Sequence, residues 1–197
     1  MKKTLALLLI AAVALALASC AQTADPGSVG STAVTGSNAG TKTTDQALDG
    51  YYNVGEFTVF VPEGWVAIPV PDRDDPSKIL TNDIQLAKGA LYNEASNTWN
   101  TVDGVSFYVT LLGQEDFDRA PAGREYYAKD FAVTDMEDLT IGSLTWHGFS
   151  VSPIGAPVYM MWAARSSGAG GYYTSVSTAY GMSLEDADLQ AILGSLK

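Results

Sequence analysis

The clearest indication of the fold is in residues 158–179, VYMMWAARSSGAGGYYTSVSTA. Two runs that are rich in aromatic and β-branched residues, 158–164 and 172–179, flank the Gly- and Ser-rich segment 166–171. Runs of this composition are typical of β-strands, and a short glycine-rich segment is typical of the turn between two of them. The sequence therefore predicts a pair of antiparallel strands here.

Similar strand patterns precede this pair. Residues 105–111, VSFYVTL, alternate between apolar and polar side chains, as a half-buried strand does. Residues 139–146, LTIGSLTW, predict a hairpin that turns at Gly142 and Ser143. The other predicted strands are 57–61, 65–68 and 83–87. Because strands that follow one another along a chain usually pair, we expect a mostly antiparallel sheet.

Two segments predict helices that flank this sheet. Pro121 suits the first turn of a helix that continues through residues 125–131. Ser183, with the acidic Asp186 three residues later, resembles a capping box at the start of a C-terminal helix. Apolar side chains recur there at helical spacing, namely Leu189, Ile192, Leu193 and Leu196. The predicted fold class is α+β, a mostly antiparallel β-sheet flanked by helices.

The composition excludes several classes of function. The chain has 197 residues, and its 22 acidic side chains against 11 Lys and Arg give a formal net charge of −11. Nucleic-acid binding needs clustered Lys and Arg to neutralise phosphates, so we expect no nucleic-acid partner. The single Cys excludes an intramolecular disulfide, and the single His excludes metal motifs that need two histidines.

The N-terminus has the pattern of an export signal. Two lysines precede the apolar run 5–17, which suits a signal peptide but is shorter than the ~20 residues that cross a bilayer as a helix. The run ends in Leu-Ala-Ser-Cys at 17–20, which resembles the lipobox of bacterial lipoproteins. The resemblance implies cleavage after a signal peptide at 1–19 and a diacylglyceryl group on Cys20. The alternative is an ordinary secretory signal.

The segment after Cys20 is predicted to be a tether. Residues 21–50 contain no aromatic side chain, and such a segment buries too little apolar surface to fold, so we expect a disordered Gly/Ser/Thr-rich linker over 20–50. A single domain is predicted over 51–197, which holds every aromatic residue of the chain. The expected location is the extracytoplasmic face of a bacterial membrane, or the outer membrane if the cell has two.

A resemblance to a known family covers most of residues 51–197. It rests on the Phe-rich strand before the turn at 62–65, PEGW, on the antiparallel middle and on the apolar repeat at 189–196. These features are similar to the PsbP-like fold of photosystem II extrinsic proteins and of uncharacterised bacterial lipoproteins. Residues 141–149, IGSLTWHGF, are similar to a segment of that lipoprotein group. The resemblance implies an α-β-α arrangement, but it transfers neither photosynthetic function nor any catalytic residue.

An acidic loop, DRDD, is the candidate metal site. Asp72 and Asp74 have the alternate spacing of a calcium loop, and Asp75 adds a third carboxylate. The next alternate positions are not acidic, and a calcium ion needs about six oxygen ligands. A solvated charged turn is therefore the favoured interpretation and calcium binding the alternative. Apart from the covalent lipid, we expect no cofactor.

A group of aromatic residues supplies the candidate binding site: Trp99, Tyr126, Tyr127, Tyr172 and Tyr173. Exposed Tyr and Trp side chains are favoured at protein interfaces because they provide large and fairly rigid contact areas, and they also stack on sugars. The alternative is that they pack in the core or across neighbouring strands.

The single histidine, His147, follows Trp146 in a predicted strand, so alternation places Trp146 towards the core and His147 towards solvent. A lone His could act as a general base. The sequence has no Gly-x-Ser-x-Gly motif and no second Cys to accompany it, and we expect no catalytic role.

These features favour a non-catalytic binding or assembly module that is held to a membrane by lipid and docks a protein or envelope component. The alternative is a receptor lipoprotein for a small ligand, a glycan or calcium. A third class, an envelope hydrolase, would need a nucleophile with a base or a pair of carboxylates in suitable geometry. We expect no enzymatic activity.

Overall fold

The structure is a computed structural model that describes residues 47–48, 50–93, 95, 98–100, 105–153 and 155–197. The predicted signal peptide, Cys20 and most of the predicted tether lie outside these residues. Within the described residues, no helix has both the length and the apolar character needed to cross a membrane.

The described residues form antiparallel strands and a few short helices. The strands are β1 Ala47–Leu48, β2 Tyr51–Asn53, β3 Thr58–Phe60, β4 Trp65–Pro71, β5 Ile79–Lys88, β6 Leu91–Asn93, β7 Thr98–Asn100, β8 Ser106–Leu112, β9 Val133–Asp135, β10 Leu139–Ile141, β11 Leu144–Val151, β12 Val158–Ala164 and β13 Gly171–Ser177. The helices are α1 Gln114–Phe117, α2 Gly123–Tyr127 and α3 Ala187–Gly194, with a 3₁₀ turn at Ala120–Ala122. The predicted mostly antiparallel sheet with few helices is confirmed.

The main sheet has the strand order β10-β11-β12-β13-β8-β5-β4, and β9 also pairs with β11. The pair predicted from residues 158–179 is β12 and β13, in which Trp162 lies opposite Tyr173. The predicted hairpin is β10 and β11, with Gly142 at φ +62° in its turn. Two smaller sheets, β1-β2-β3 and β6-β7, accompany the main sheet.

One face of the main sheet, here called the inner face, forms the hydrophobic core. Ile84, Val109, Met161 and Trp146 lie on it and are almost fully buried. Helix α3 adds Leu189, Ile192 and Leu193, and Leu196 beyond it is also buried. Full burial of one such side chain contributes about 1.5–3 kcal/mol, so this packing accounts for much of the stability.

Helix α3 begins later than the sequence predicts. Its N-cap is Asp186, whose Oδ1 accepts the backbone N–H groups of Asp188 (2.9 Å) and Leu189 (3.2 Å). The predicted cap, Ser183, instead accepts the N–H of Glu185 in a local turn. The prediction was wrong because Asp caps a helix as well as Ser does, and Asp186 lies closer to the apolar repeat.

The first predicted helix is earlier and shorter than expected. Pro121 lies in the 3₁₀ turn, and α2 ends at Tyr127, so the expectation of a helix over 125–131 was wrong beyond that residue. Tyr127 packs against Phe149 of the main sheet, with ring centroids 6.0 Å apart. This contact holds the segment on the sheet face, and the chain then turns towards β9.

Candidate functional site

The second face of the main sheet, here called the outer face, carries polar side chains on its central strands. In β8, Phe107, Val109 and Leu111 are buried on the inner face, so the alternation of side chains places Tyr108 and Thr110 on the outer face. The pairing of β8 with β5 and β13 adds neighbours on the same face. We call this set the outer-face polar cluster: Asp83, Gln85, Tyr108, Thr110 and Ser175.

The register determines which members of the cluster are opposite one another. Thr110 lies opposite Asp83 on β5, and Tyr108 lies opposite both Gln85 on β5 and Ser175 on β13. Residues opposite each other across antiparallel strands have Cβ atoms about 5 Å apart, so the five side chains are neighbours. All five are partly exposed. They are therefore accessible from outside and are not part of the core.

Asp83 is the charged member of the outer-face polar cluster. Its Oδ1 accepts a hydrogen bond of 2.9 Å from Thr110 Oγ1. Burial raises the pKa of Asp83 to about 6, although hydrogen bonds from Thr110 and from the backbone of Ile84 act in the opposite direction. None of the ion pairs formed among the described residues involves Asp83. The carboxylate has thus lost much of its hydration without gaining a cationic partner.

Tyr108 is electrostatically coupled to Asp83. Burial and then the nearby Asp83 carboxylate raise the pKa of the Tyr108 hydroxyl, which therefore stays protonated at neutral pH. The outer-face polar cluster thus combines one carboxylate, three hydroxyl groups and one amide. Such a set can accept hydrogen bonds from a bound group and can attract a positive charge.

Apolar covers lie on both sides of the outer-face polar cluster. On one side, α1 lies over β13, where Phe117 is so close to Gly171 that a Cβ there would collide with the phenyl ring, and α2 packs Tyr127 against Phe149 of β11. On the other side, Trp99 packs against a small apolar group formed by Ile68, Ala87 and Ala90. The polar side chains therefore occupy the part of the outer face between these two covers.

The aromatic residues predicted as a binding group do not form one surface. Tyr172 is only 3% exposed, because it points into the inner face, where its ring meets Phe57 at 5.6 Å and its hydroxyl donates to the backbone oxygen of Lys197. Tyr127, the last residue of α2, is 4% exposed. The expected exposure of both residues was wrong, because Tyr172 lies on the inner face of strand β13 and the Tyr127 ring packs against Phe149 of the main sheet.

The other three aromatic residues of that group are separated. Tyr173 lies on the outer face beside Thr110, and its hydroxyl donates to Met160 Sδ at 3.3 Å. Tyr126 is half-buried against Tyr127, with Lys129 Nζ 5.8 Å from its ring centre. Trp99 is half-buried on β7. Of the five residues, Tyr173 is the one that the register places next to the outer-face polar cluster.

A groove of about 380 Å³ opens beside the start of β11 and the end of β12. It is lined by Phe117, Ser143, Leu144, Thr145, His147, Trp162, Ala164 and Ser166. His147 is exposed and its Nδ1 lies 2.6 Å from Asp138 Oδ1, whereas Trp146 is fully buried, which confirms the predicted alternation. The groove combines aromatic surface with hydroxyl groups.

The acidic loop directs its carboxylates towards its own backbone and side chains. Asp72 Oδ1 accepts the backbone N–H groups of Asp74 (2.8 Å) and Asp75 (3.3 Å). Asp75 accepts the Ser77 hydroxyl and pairs with Lys78, and these hydrogen bonds lower its pKa. Among the residues that the structure describes, no three Asp, Glu, His or Cys side chains are grouped so that they could hold a metal ion. Calcium binding here stays a prediction.

No protein-family model matches the chain, and no curated protein matches it. Among solved structures, the chain is similar to a protein of Bacteroides thetaiotaomicron VPI-5482, whose crystal structure was determined at 1.50 Å resolution. The two are 12% identical, with a TM-score of 0.36, over 72% of this chain and 44% of that one. The chain thus matches less than half the length of that protein.

Proposed function

We propose that the chain is a lipid-anchored extracytoplasmic lipoprotein whose folded domain is a non-catalytic binding or assembly module. In this proposal the domain docks a protein or envelope component through the outer-face polar cluster. The observation that carries the proposal is the half-buried Asp83 carboxylate, which lies beside Tyr108 on an accessible sheet face and has no cationic partner among the described residues.

The energetics of the cluster favour a role in binding. A carboxylate that is partly removed from water without a compensating charge costs free energy in the isolated domain. A bound partner that supplies hydrogen bonds or a positive charge would offset that cost, and Tyr108 adds the kind of aromatic contact that is enriched at interfaces. Both β5 and β8 are paired with a strand on each side, and this pairing provides a rigid support for such a surface.

The proposed anchor rests on the sequence. The basic start, the apolar run 5–17 and the Leu-Ala-Ser-Cys motif that ends at Cys20 support lipidation at that residue. A diacylglyceryl group supplies two acyl chains, and two chains hold a protein stably at a bilayer where one does not. The Gly/Ser/Thr-rich linker at 20–50 would then let the domain reach a partner away from the lipid surface.

A PsbP-like relationship is also part of the proposal. It is supported by the layer arrangement, in which α3 packs on the inner face of an antiparallel sheet and α1 and α2 lie on the outer face. An experimental structure compared strand by strand with PsbP-like domains tests this relationship. A different strand order in the main sheet would overturn it.

Site-specific photo-crosslinking in intact cells tests the docking function. A photo-reactive amino acid replaces Gln85 in the outer-face polar cluster, and a control replaces the exposed Glu63 in the turn before β4. We expect one dominant crosslinked component from position 85, none from position 63, and loss of the product in the Asp83→Asn background. Absence of a product at 85, or the same product from both positions, contradicts docking through this face.

A second candidate function, a receptor for a small ligand or a glycan, is favoured by the groove. Its lining combines the aromatic rings of Phe117 and Trp162 with the hydroxyl groups of Ser143 and Thr145. Saturation-transfer NMR with a panel of soluble oligosaccharides tests it, with Ser143→Trp to fill the groove and Glu63→Trp as the control. Binding that only Ser143→Trp abolishes supports the receptor, and binding that survives it places the ligand elsewhere.

A further inference from the structure

We propose that the outer-face polar cluster binds an arginine side chain of the partner protein, with the guanidinium group paired with Asp83 and lying against Tyr108. This inference rests on the proposed docking function and specifies the chemistry of the partner. In this inference the domain recognises a cation, which the partner inserts between the two apolar covers.

Three paired acids show what a cationic neighbour does to a carboxylate in this chain, and Asp83 differs from them. Among the described residues, Asp75 pairs with Lys78, Asp188 pairs with Lys88, and Asp135 pairs with Arg124. These acids are more exposed than Asp83, and the pKa of each is lowered. Asp83 instead has a raised pKa, because burial dominates and its partner, the Thr110 hydroxyl, is neutral. Asp83 is therefore a partly buried carboxylate that has no cationic partner among the described residues.

Charge complementarity points to a cationic partner. The chain has a formal net charge of −11, so its long-range field attracts cations and repels anions. A positive side chain that reaches Asp83 would meet a carboxylate in partly desolvated surroundings, where an ion pair is screened less than at a fully exposed site. Among the residues that the structure describes, no cation would have to be displaced from Asp83 for this pair to form.

The shape of the cluster favours guanidinium over ammonium. A guanidinium group is planar and carries five N–H donors, whereas an ammonium group is compact and carries three. The Asp83 carboxylate has several acceptor positions, of which the Thr110 hydroxyl and the backbone N–H of Ile84 use two. The Gln85 amide and the Tyr108 hydroxyl can supply further acceptors on the same face. The Tyr108 ring adds a flat surface on which a guanidinium can stack.

The test uses the full-length chain in zwitterionic detergent micelles, labelled with ¹³C at the Asp side-chain carboxyl carbons and the Tyr rings. The probes are N-acetyl-arginine amide and N-acetyl-citrulline amide, which has a neutral urea group in place of the guanidinium. At pH 7.5 we expect the arginine probe to shift the Asp83 and Tyr108 signals with an apparent Kd on the order of millimolar, as suits a single side chain. The citrulline probe should leave them unchanged.

Two variants give the control. Asp83→Asn should weaken binding of the arginine probe at least about tenfold, the loss that corresponds to ~1.4 kcal/mol. Asp74→Asn removes an exposed carboxylate of the acidic loop and should leave the apparent Kd unchanged. If Asp83→Asn fails to fold, the contrast between the two probes on the wild-type Asp83 signal decides the question. Equal shifts with arginine and citrulline, or equal loss in both variants, overturn the inference.

The outcome separates this inference from the proposed function. A specific crosslink from position 85 combined with no response to the arginine probe means that the domain docks its partner by other contacts, so the inference is wrong and the function stands. Absence of both the crosslink and the response means that both are wrong. A response to arginine without any crosslink in cells overturns docking of a partner protein, and with it the inference.

Discussion

Trp65 Nε1 donates a hydrogen bond of 2.9 Å to Asp188 Oδ2, and this bond joins β4, at one edge of the main sheet, to the first turn of α3. Lys88 Nζ lies 3.3 Å from the same oxygen. The hydrogen bond from Trp65 is the largest cause of the lowered pKa of Asp188, and Lys88 adds to it. The C-terminal helix is thus held to the sheet by polar contacts as well as by its apolar face.

Asp188→Asn should therefore destabilise the domain. We expect a loss of about 1 kcal/mol in the free energy of unfolding at pH 7, which is typical of one hydrogen bond to a charged group in a partly exposed setting. Because the folded-state pKa of Asp188 is lowered, the stabilisation is present above its ordinary pKa of 3.8 and disappears as the pH falls through the lower value. Urea unfolding from pH 3 to 7 measures it, with exposed Glu185→Gln as the control. An effect that does not decrease as the pH falls from 7 to 3 contradicts the explanation.

Asp83→Asn should stabilise the domain at neutral pH, whereas Asp188→Asn should destabilise it. The folded-state pKa of Asp83 is about 6 and its ordinary value is 3.8, so between these values the folded chain keeps a proton that the unfolded chain releases. The stability that this group contributes is present below 3.8 and is lost as the pH rises through about 6. We expect the variant to gain on the order of 2–3 kcal/mol relative to wild type between pH 4 and pH 7.

Urea unfolding at several pH values measures this difference. Asp74→Asn is the matched control, because it removes the same charge from an exposed loop. Parallel stability curves for wild type and Asp83→Asn would mean that the carboxylate is well hydrated in solution, and the physical basis of the outer-face polar cluster would be lost.

Gly142→Ala should destabilise the β10–β11 hairpin more than a glycine substitution in an open turn does. Gly142 has φ +62°, and a Cβ there would lie 2.5 Å from the backbone oxygen of Gly194 in α3. Gly64 has φ +81°, but a Cβ there would meet no atom within 4 Å. We expect a cost of about 1 kcal/mol for Gly64→Ala, from backbone strain alone, and roughly 3 kcal/mol for Gly142→Ala. Thermal unfolding compares the two, and equal costs would contradict the close contact with α3.

Cys20→Ala should abolish membrane attachment if the lipoprotein proposal is correct. The thiol is the acceptor of the diacylglyceryl group in the proposed pathway, so the variant should lose incorporation of radioactive palmitate and leave the membrane fraction. Ser19→Ala, which keeps a small residue before the cleavage site, serves as the control. Membrane association of Cys20→Ala equal to that of the control contradicts a lipid anchor at this residue.

The alternation in residues 83–87 and 105–111 is sufficient to predict that Asp83 and Gln85 share one face of a strand and that Tyr108 and Thr110 share one face of another. Alternation within each strand cannot predict that these two sets of side chains lie on the same side of one sheet. Asp83 and Thr110 are 27 residues apart, with the β6–β7 hairpin between them, and only the observed register brings them together. The outer-face polar cluster was therefore missed at the level of sequence.

Tertiary packing explains two other differences from the sequence predictions. Asp186 and Ser183 are both suitable N-caps, and the packing of Leu189 on the core favours the later start of α3. Tyr172 lies in the strand that the sequence predicts, but it was grouped with exposed aromatic residues, and the pairing with Leu111 places its ring on the inner face. Both outcomes depend on tertiary contacts that lie far away in the chain.

The contacts of α3 with the N-terminal strands also have a kinetic consequence. The backbone N–H of Phe60 donates to Ser195 Oγ across 135 residues, and Trp65 reaches Asp188 across 123. Native contacts of such large sequence separation raise the contact order, and a higher contact order slows folding because long loops must close first. We therefore expect the contacts between α3 and the N-terminal strands to form late in folding, after neighbouring strands of the main sheet have paired.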